Sequence, residues 1–276
     1  MLISRLIGLS LVLGLLPVLP VSACTARDFL ALSLPPLTRS PEAVALELGY
    51  PGVIVNDAAG TVVFPDGQSL PLGQKPDRPA RARLEDASIA EQFVQIYPLP
   101  FDLTSRSDPW FDPGRARNDA FFRALYGNAE GAISKTLVRV DYPGAVKARF
   151  SMTTQHCAAL QLQAALQAIA AQGATMDRYF TGIGGSFNWR KIAGTQRLSA
   201  HSFGIAVDFN TELGGYWRWS GATEGNAGGY DNQYPESLVR EMERFGFVWG
   251  GKWHHFDGMH FEYRPELILY ARMMGG

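Results

Sequence analysis

Apolar and polar positions alternate between Gly204 and Phe209. Ile205, Val207 and Phe209 fall on one side of an extended segment, and Ala206 and Asp208 fall on the other. An acidic residue beside a small one makes the second side a poor core face and a suitable floor for a site. After Asp257-Gly-Met, a second short extended segment places His260 and Glu262 on one face. Residues 158–171 instead carry a run of strong helix formers. A helix is also predicted from Pro235, with the proline near its first turn, and a closing helix from Pro265. Residues 53–56 and 61–64 read as a hairpin around Asp57-Ala-Ala-Gly60, and residues 134–140 and 146–150 as two strands about Pro143-Gly144. Shorter helices are expected at 41–48, 84–93 and 118–126, the last ending at Gly127. Residues 71–83, an aromatic-rich stretch around 97–114 and a Gly, Asn and aromatic run at 214–234 read as loop. These elements predict an α+β fold, a small antiparallel sheet flanked by helices, with an irregular N-terminal extension.

The first residues stand apart. Arg5 precedes an apolar run, Pro17 and Pro20 end it, and Val21-Ser-Ala follows with small side chains before Cys24. Residues 1–23 are therefore expected to be a signal peptide. The Val-Ser-Ala-Cys ending resembles a bacterial lipoprotein signal, which gives two readings. In one, a lipidated Cys24 attaches the protein to a membrane; in the other, the protein is simply released. Either places it in the cell envelope, periplasmic or on the outer surface. Cys24 and Cys157 are the two cysteines. If Cys24 carries no lipid, a bond between them becomes available, although Cys24 lies in a leader expected to be flexible. The His156-Cys157 pair invites a thiol nucleophile, but the helix pattern that follows favours Cys157 as a small buried residue near the helix start. The formal net charge of −1 gives no reason to expect nucleic-acid binding.

Chemistry concentrates in the two extended segments. His201, Asp208 and His260 offer two nitrogens and one oxygen, a set suited to zinc with a fourth position open to water, and Asp257 stands near as a base. The spacings alone also describe a turn aspartate, a histidine bonded to backbone and ordinary solvated carboxylates. His254 and His255 flank the second segment and read as supporting or surface residues. Trp217 and Trp219 fit substrate contact and core equally well.

Ser199-Ala-His201-Ser-Phe-Gly204-Ile-Ala206-Val-Asp208 resembles the Ser-x-His-x-x-Gly-x-Ala-x-Asp signature of the D-alanyl-D-alanine carboxypeptidase group of zinc peptidases. Asp257-Gly-Met-His260-Phe-Glu262 resembles that family's second motif, and Gly184 to Ser199 is similar to its approach to the first. The resemblance spans roughly residues 150–270. It implies a fold like that of the D-Ala-D-Ala peptidases and the hedgehog zinc module. His201, Asp208 and His260 would be the ligands of Zn2+, Asp257 the catalytic base, and Arg190 the partner of a substrate carboxylate. Residues 131–276 would form the zinc peptidase domain, and residues 24–130 a leader and extension packed on it. Peptidoglycan stem peptides would be the substrate, with terminal D-Ala removal the leading activity. Many dipeptidase members carry Glu where this chain has Asp257. The aspartate is shared with the branch that cleaves between L-alanine and D-glutamate, which makes that endopeptidase activity the alternative. A cell-wall-binding zinc protein without turnover is the non-enzymatic reading.

Overall fold

The computed structural model describes residues 24–192 and 195–275. The signal peptide expected at residues 1–23 lies outside the described residues.

The chain begins with α1 (Pro41–Gly49), where Ser40 caps the first turn by accepting from the Ala43 amide and Pro41 supplies a pre-set φ. A three-stranded antiparallel sheet follows: β1 (Ile54–Asn56), β2 (Thr61–Val63) and β3 (Ser69–Pro71). Next come α2 (Ala80–Glu85), α3 (Asp119–Tyr126) and α4 (Glu130–Ser134). Asn118 caps α3 through the Phe121 amide, and Gly127 ends it at φ +118°. β4 (Leu137–Asp141) and β5 (Arg149–Thr153) pair as a hairpin. They lead into α5 (Ala158–Ala170), whose Leu162, Leu166 and Ile169 are buried. The remaining elements are β6 (Ile183–Gly185), β7 (Ala206–Asn210), α6 (Thr211–Gly214), α7 (Glu236–Arg244), β8 (Phe247–Trp249), β9 (His260–Tyr263) and α8 (Pro265–Met274).

The fold is mixed α+β, with small antiparallel sheets flanked by helices. The four-stranded sheet, in the order β6-β7-β9-β8, organises the second half. Val207, Phe209 and Phe261 turn one face into a core with Phe150, Phe180, Trp249 and Leu269. The contiguous core extends beyond this half. Phe29, Leu46, Val62, Phe93 and Phe121 belong to it, and α1 packs along α8. The segment before residue 130 is thus joined by apolar burial to the sheet carrying the site.

Two helices depart from the sequence expectation. α2 falls mostly in a stretch read as loop because none of its residues is buried, so no apolar stripe marks it. α4 likewise buries only Ile133. The helix expected at 84–93 is reduced to the end of α2 and a short helical turn over Ala90–Phe93.

Cys24 requires a correction. Its sulfur is bonded to Cys157 across 133 positions of sequence, and a sulfur in a disulfide has no valence left for a lipid thioether. The lipidated Cys24 is overturned, and with it that route of membrane attachment. The leader around Cys24 is also held in place: the Arg27 amide donates to Gln161 Oε1 of α5, and its guanidinium donates to Leu48 O. Such a bond belongs to an oxidising, extracytoplasmic setting. Cys157 is half-buried rather than fully enclosed, and both His156 and Cys157 have positive φ values, 49° and 66°.

Candidate metal centre

The register of the central sheet builds the site. Across the β7–β9 ladder Asp208 is paired with His260, Val207 with Phe261 and Ala206 with Glu262. Asp208, His260 and Glu262 therefore share the face away from the main core, as period-two alternation requires. His201 arrives from a short helical turn over Ala200–Phe203, opened by Ser199 and closed by Gly204 at φ +66°. That turn is fixed by Ser202. Its hydroxyl accepts from the Arg190 amide at 2.9 Å and lies within bonding distance of the Asn188 and Arg190 carbonyls. One side chain thereby ties the histidine turn to the segment carrying Arg190.

Asp257 precedes β9 by a tight turn in which the His260 amide donates to the Asp257 carbonyl at 3.1 Å. Only glycine fits the next position. A Cβ on Gly258 would stand 2.0 Å from both the Gly214 carbonyl oxygen and the Tyr230 hydroxyl.

His201, Asp208 and His260 each offer one ligand atom, all within 4.8 Å of one another. His201 Nε2 lies 3.2 Å from His260 Nδ1 and 3.2 Å from Asp208 Oδ2, and His260 Nδ1 lies 2.9 Å from Asp208 Oδ1. A tetrahedral ion with bonds of 2.0–2.1 Å spaces its ligand atoms about 3.3 Å apart, close to these separations. The outward nitrogens are also provided for. His201 Nδ1–H donates to the Ser186 carbonyl at 2.5 Å, and His260 Nε2–H points at Glu262 Oε2 at 3.4 Å. Each imidazole therefore turns its unprotonated nitrogen toward the shared centre, as ligand histidines do. The residues present fit a zinc-like divalent cation.

The electrostatics agree. Burial would raise the Asp208 carboxyl, but His201 and His260 beside it carry it well below the usual carboxylate range. Burial would lower His260, yet its contacts with Asp208 and Glu262 raise it to about 10. The carboxylates around this ring thus create a strong demand for positive charge, which either a proton or a metal meets. Asp257 behaves oppositely: burial, then the charge of Asp208, pushes it up to about 6. Its Oδ1 is buried and has no hydrogen-bond partner among the described residues. A buried carboxylate oxygen left unpaired is expensive unless a water or substrate proton meets it.

Beneath the ligands lies a buried ion network. Glu262 contacts Arg117, Arg264 and His260, and Arg264 also bonds Glu266, which accepts from the Tyr50 hydroxyl. Burial would raise Glu262, but Arg117 first, and His260 and Arg264 with it, hold it well below the usual range.

All five residues expected from sequence line one pocket: Arg190, His201, Asp208, Asp257 and His260. Arg190 is exposed, and among the described residues its guanidinium has no hydrogen-bond or ion-pair partner. His255 also lines the pocket, but both its nitrogens are engaged. Nδ1–H donates to Asp112 Oδ2 at 2.6 Å, and Nε2 accepts from the Gly225 amide. His254 is held likewise between the Arg106 carbonyl and the Ala227 amide. The two histidines pin the 106–112 and 225–227 loops to the site. Trp217 is core, in a small cluster with Phe256, whereas Trp219 is 64% exposed.

Sequence reasoning missed Arg115, Arg117 and Trp253, which also line the pocket. Trp253 packs on His260 with ring centroids 5.6 Å apart. Both arginines follow directly on the aromatic-rich loop read around 97–114, whose composition says nothing of a basic wall.

No curated protein and no solved structure matches the chain. Residues 193–263, a span holding His201, Asp208, Asp257 and His260 but not Arg190, match the family model for D-alanyl-D-alanine carboxypeptidase.

Proposed function

We propose that this protein is a zinc peptidase that cleaves bonds involving D-amino acids in peptidoglycan stem peptides, with removal of terminal D-Ala the leading activity. The observation that carries the reading is the unpaired Asp257 Oδ1 buried beside the His201, Asp208 and His260 triad. When bound, zinc supplies Lewis acidity toward water and the scissile carbonyl. His201, Asp208 and His260 hold it, and Ser186 and Glu262 keep the two imidazoles in the ligating tautomer. Asp257 Oδ1 accepts the proton of the attacking water and passes it to the leaving amine. Its raised affinity for a proton suits it to both transfers. Arg190 offers an unengaged guanidinium fork to a free carboxylate of the substrate. Residues 131–276 form the catalytic domain in this reading, and residues 24–130 wall the pocket.

Aspartate at position 257, where many dipeptidases have glutamate, favours a second reading: cleavage between L-Ala and D-Glu at the same site. Digestion of purified peptidoglycan and defined muropeptides, with zinc removed and restored and products read by mass spectrometry, tests both. Loss of terminal D-Ala is the expected result. Release at L-Ala-D-Glu would establish the endopeptidase, and the absence of any zinc-dependent product would end the peptidase reading.

A further inference from the structure

Three arginines line the pocket, and they are not equivalent. Arg117 is spent on Glu262 and is almost wholly buried. Arg190 stands free. Arg115 comes from the N-terminal segment, outside the span that matches the peptidase family.

The backbone around Arg115 is fastened at several points. The Trp253 indole donates to the Pro113 carbonyl at 2.7 Å, and the His254 amide to the Phe111 carbonyl at 2.7 Å. Arg197 donates to the Arg115 carbonyl, and the Arg115 amide closes a turn onto the Asp112 carbonyl. The head group, by contrast, is barely engaged. Its one ion-pair contact among the described residues is Nη1 to Asp112 Oδ1 at 3.4 Å. Both oxygens of Asp112 already accept shorter bonds from His255, Oδ1 from the amide at 2.9 Å and Oδ2 from the ring at 2.6 Å. The guanidinium rests near the Trp253 ring, with Cζ 5.8 Å from its centroid, and its side chain is 23% exposed. A rigidly mounted arginine with most of its five donors unused, facing a pocket, is built to receive an anion.

We infer that Arg115 is a specificity-determining, substrate-binding residue that takes a second carboxylate, so that the preferred substrates are peptides bearing two carboxylates. This rests on the peptidase reading for the nature of the ligand. Arg190 holds one carboxylate, common to any peptide with a free terminus. Arg115 distinguishes an acidic peptide from its amidated counterpart, and it does so from a segment that the catalytic motifs do not contain. Asp208, Asp257 and a divalent ion balance one another, and Glu262 balances Arg117. The uncommitted charge of Arg190 and the loosely paired charge of Arg115 therefore remain for the ligand.

The test is equilibrium binding by calorimetry to the zinc-loaded Asp257→Asn protein, which holds peptides without turning them over. The probes are L-Ala-γ-D-Glu-L-Lys-D-Ala-D-Ala, which contains both candidate scissile bonds, with a free D-glutamyl α-carboxylate, and the same peptide with that group amidated. The free acid is expected to bind about tenfold more tightly. Arg115→Gln in the same background should erase that difference and leave amide binding within about twofold. Arg190→Gln should weaken both peptides alike, since both keep the terminal carboxylate. Unchanged amide binding certifies the fold. If Arg115→Gln loses both ligands, Arg115→Lys carries the same comparison, with an intermediate preference expected. Equal binding of the two peptides to the parent protein, or a preference that survives Arg115 substitution, overturns the inference. Turnover is not the readout, so discrimination by the Asp257→Asn protein, with neither peptide cleaved by the protein that retains Asp257, would sink the peptidase reading and leave the role of Arg115 standing.

Discussion

Asp208 and His260 oppose each other across the β7–β9 ladder, and their side chains meet at 2.9 Å. Two of the three candidate ligands are thus placed by strand register. A slip of one residue in either strand would turn that strand's ligand to the opposite face and break the set.

The first prediction concerns that set. His201→Ala or Asp208→Asn should lower bound zinc after dialysis from about one equivalent per chain to a small fraction of it, by mass spectrometry of metals. Zinc retained at the parent level by both variants would remove these residues from the ligand set.

Asp257→Asn should separate binding from chemistry. Metal content stays at the parent value, while hydrolysis falls by roughly 10²–10⁴-fold, the range for loss of a general base. A variant that keeps more than about a tenth of parent activity would show that another group takes the proton.

Glu262 supports both the site and the fold. Glu262→Ala leaves the fully buried Arg264 and the largely buried Arg117 short of a counter-charge and frees the His260 ring. Urea unfolding should show a loss on the order of 3–5 kcal/mol. Zinc competition should show affinity weakened by about tenfold or more. A change in stability without a change in zinc affinity would confine Glu262 to a structural role.

His156 gives a pH signature of its own, outside the pocket that holds the candidate ligands. Burial lowers the half-buried ring to about 4, partly offset by its bond to the Leu125 carbonyl. The folded protein therefore holds this histidine neutral where the unfolded chain protonates it. The contribution is fully present above pH about 6.5 and is lost as pH falls toward 4, amounting to at most about 3 kcal/mol. Partial exposure reduces that figure. Urea unfolding at pH 7.5 and 4.5 should show a smaller pH-dependent loss for His156→Asn, whose side chain tolerates the positive φ. Equal losses in both proteins would assign the effect elsewhere.

Much of the site was readable because its chemistry is local. The alternation from Gly204 to Phe209 predicted which face Asp208 occupies, and the same rule placed His260 beside Glu262. Helices α5 and α8 announced themselves by long apolar content, and Pro265 marked the start of the latter. α2 gave no such signal, since it buries nothing. Trp217 and Trp219 could not be told apart, because their difference arises from packing against Phe256 rather than from neighbours in sequence. Arg117 meets Glu262 across 145 positions. Nothing in either segment encodes that meeting, so the basic wall of the pocket was invisible until the chain was folded. For Cys24 the sequence left lipid and a bond to Cys157 both open, because the approach of the two sulfurs is set only by folding.

The Cys24–Cys157 bond has a consequence for biogenesis. A chain with two cysteines admits a single intramolecular pairing, so oxidation needs no proofreading and no isomerase to sort alternatives. The order of events is also set, because the first sulfur to emerge during synthesis must wait 133 residues for its mate. Once closed, the link spans the whole segment that supplies Arg115 and Arg117. A single protease cut anywhere between the two cysteines would leave both fragments tethered, and the nick would appear only on a reducing gel.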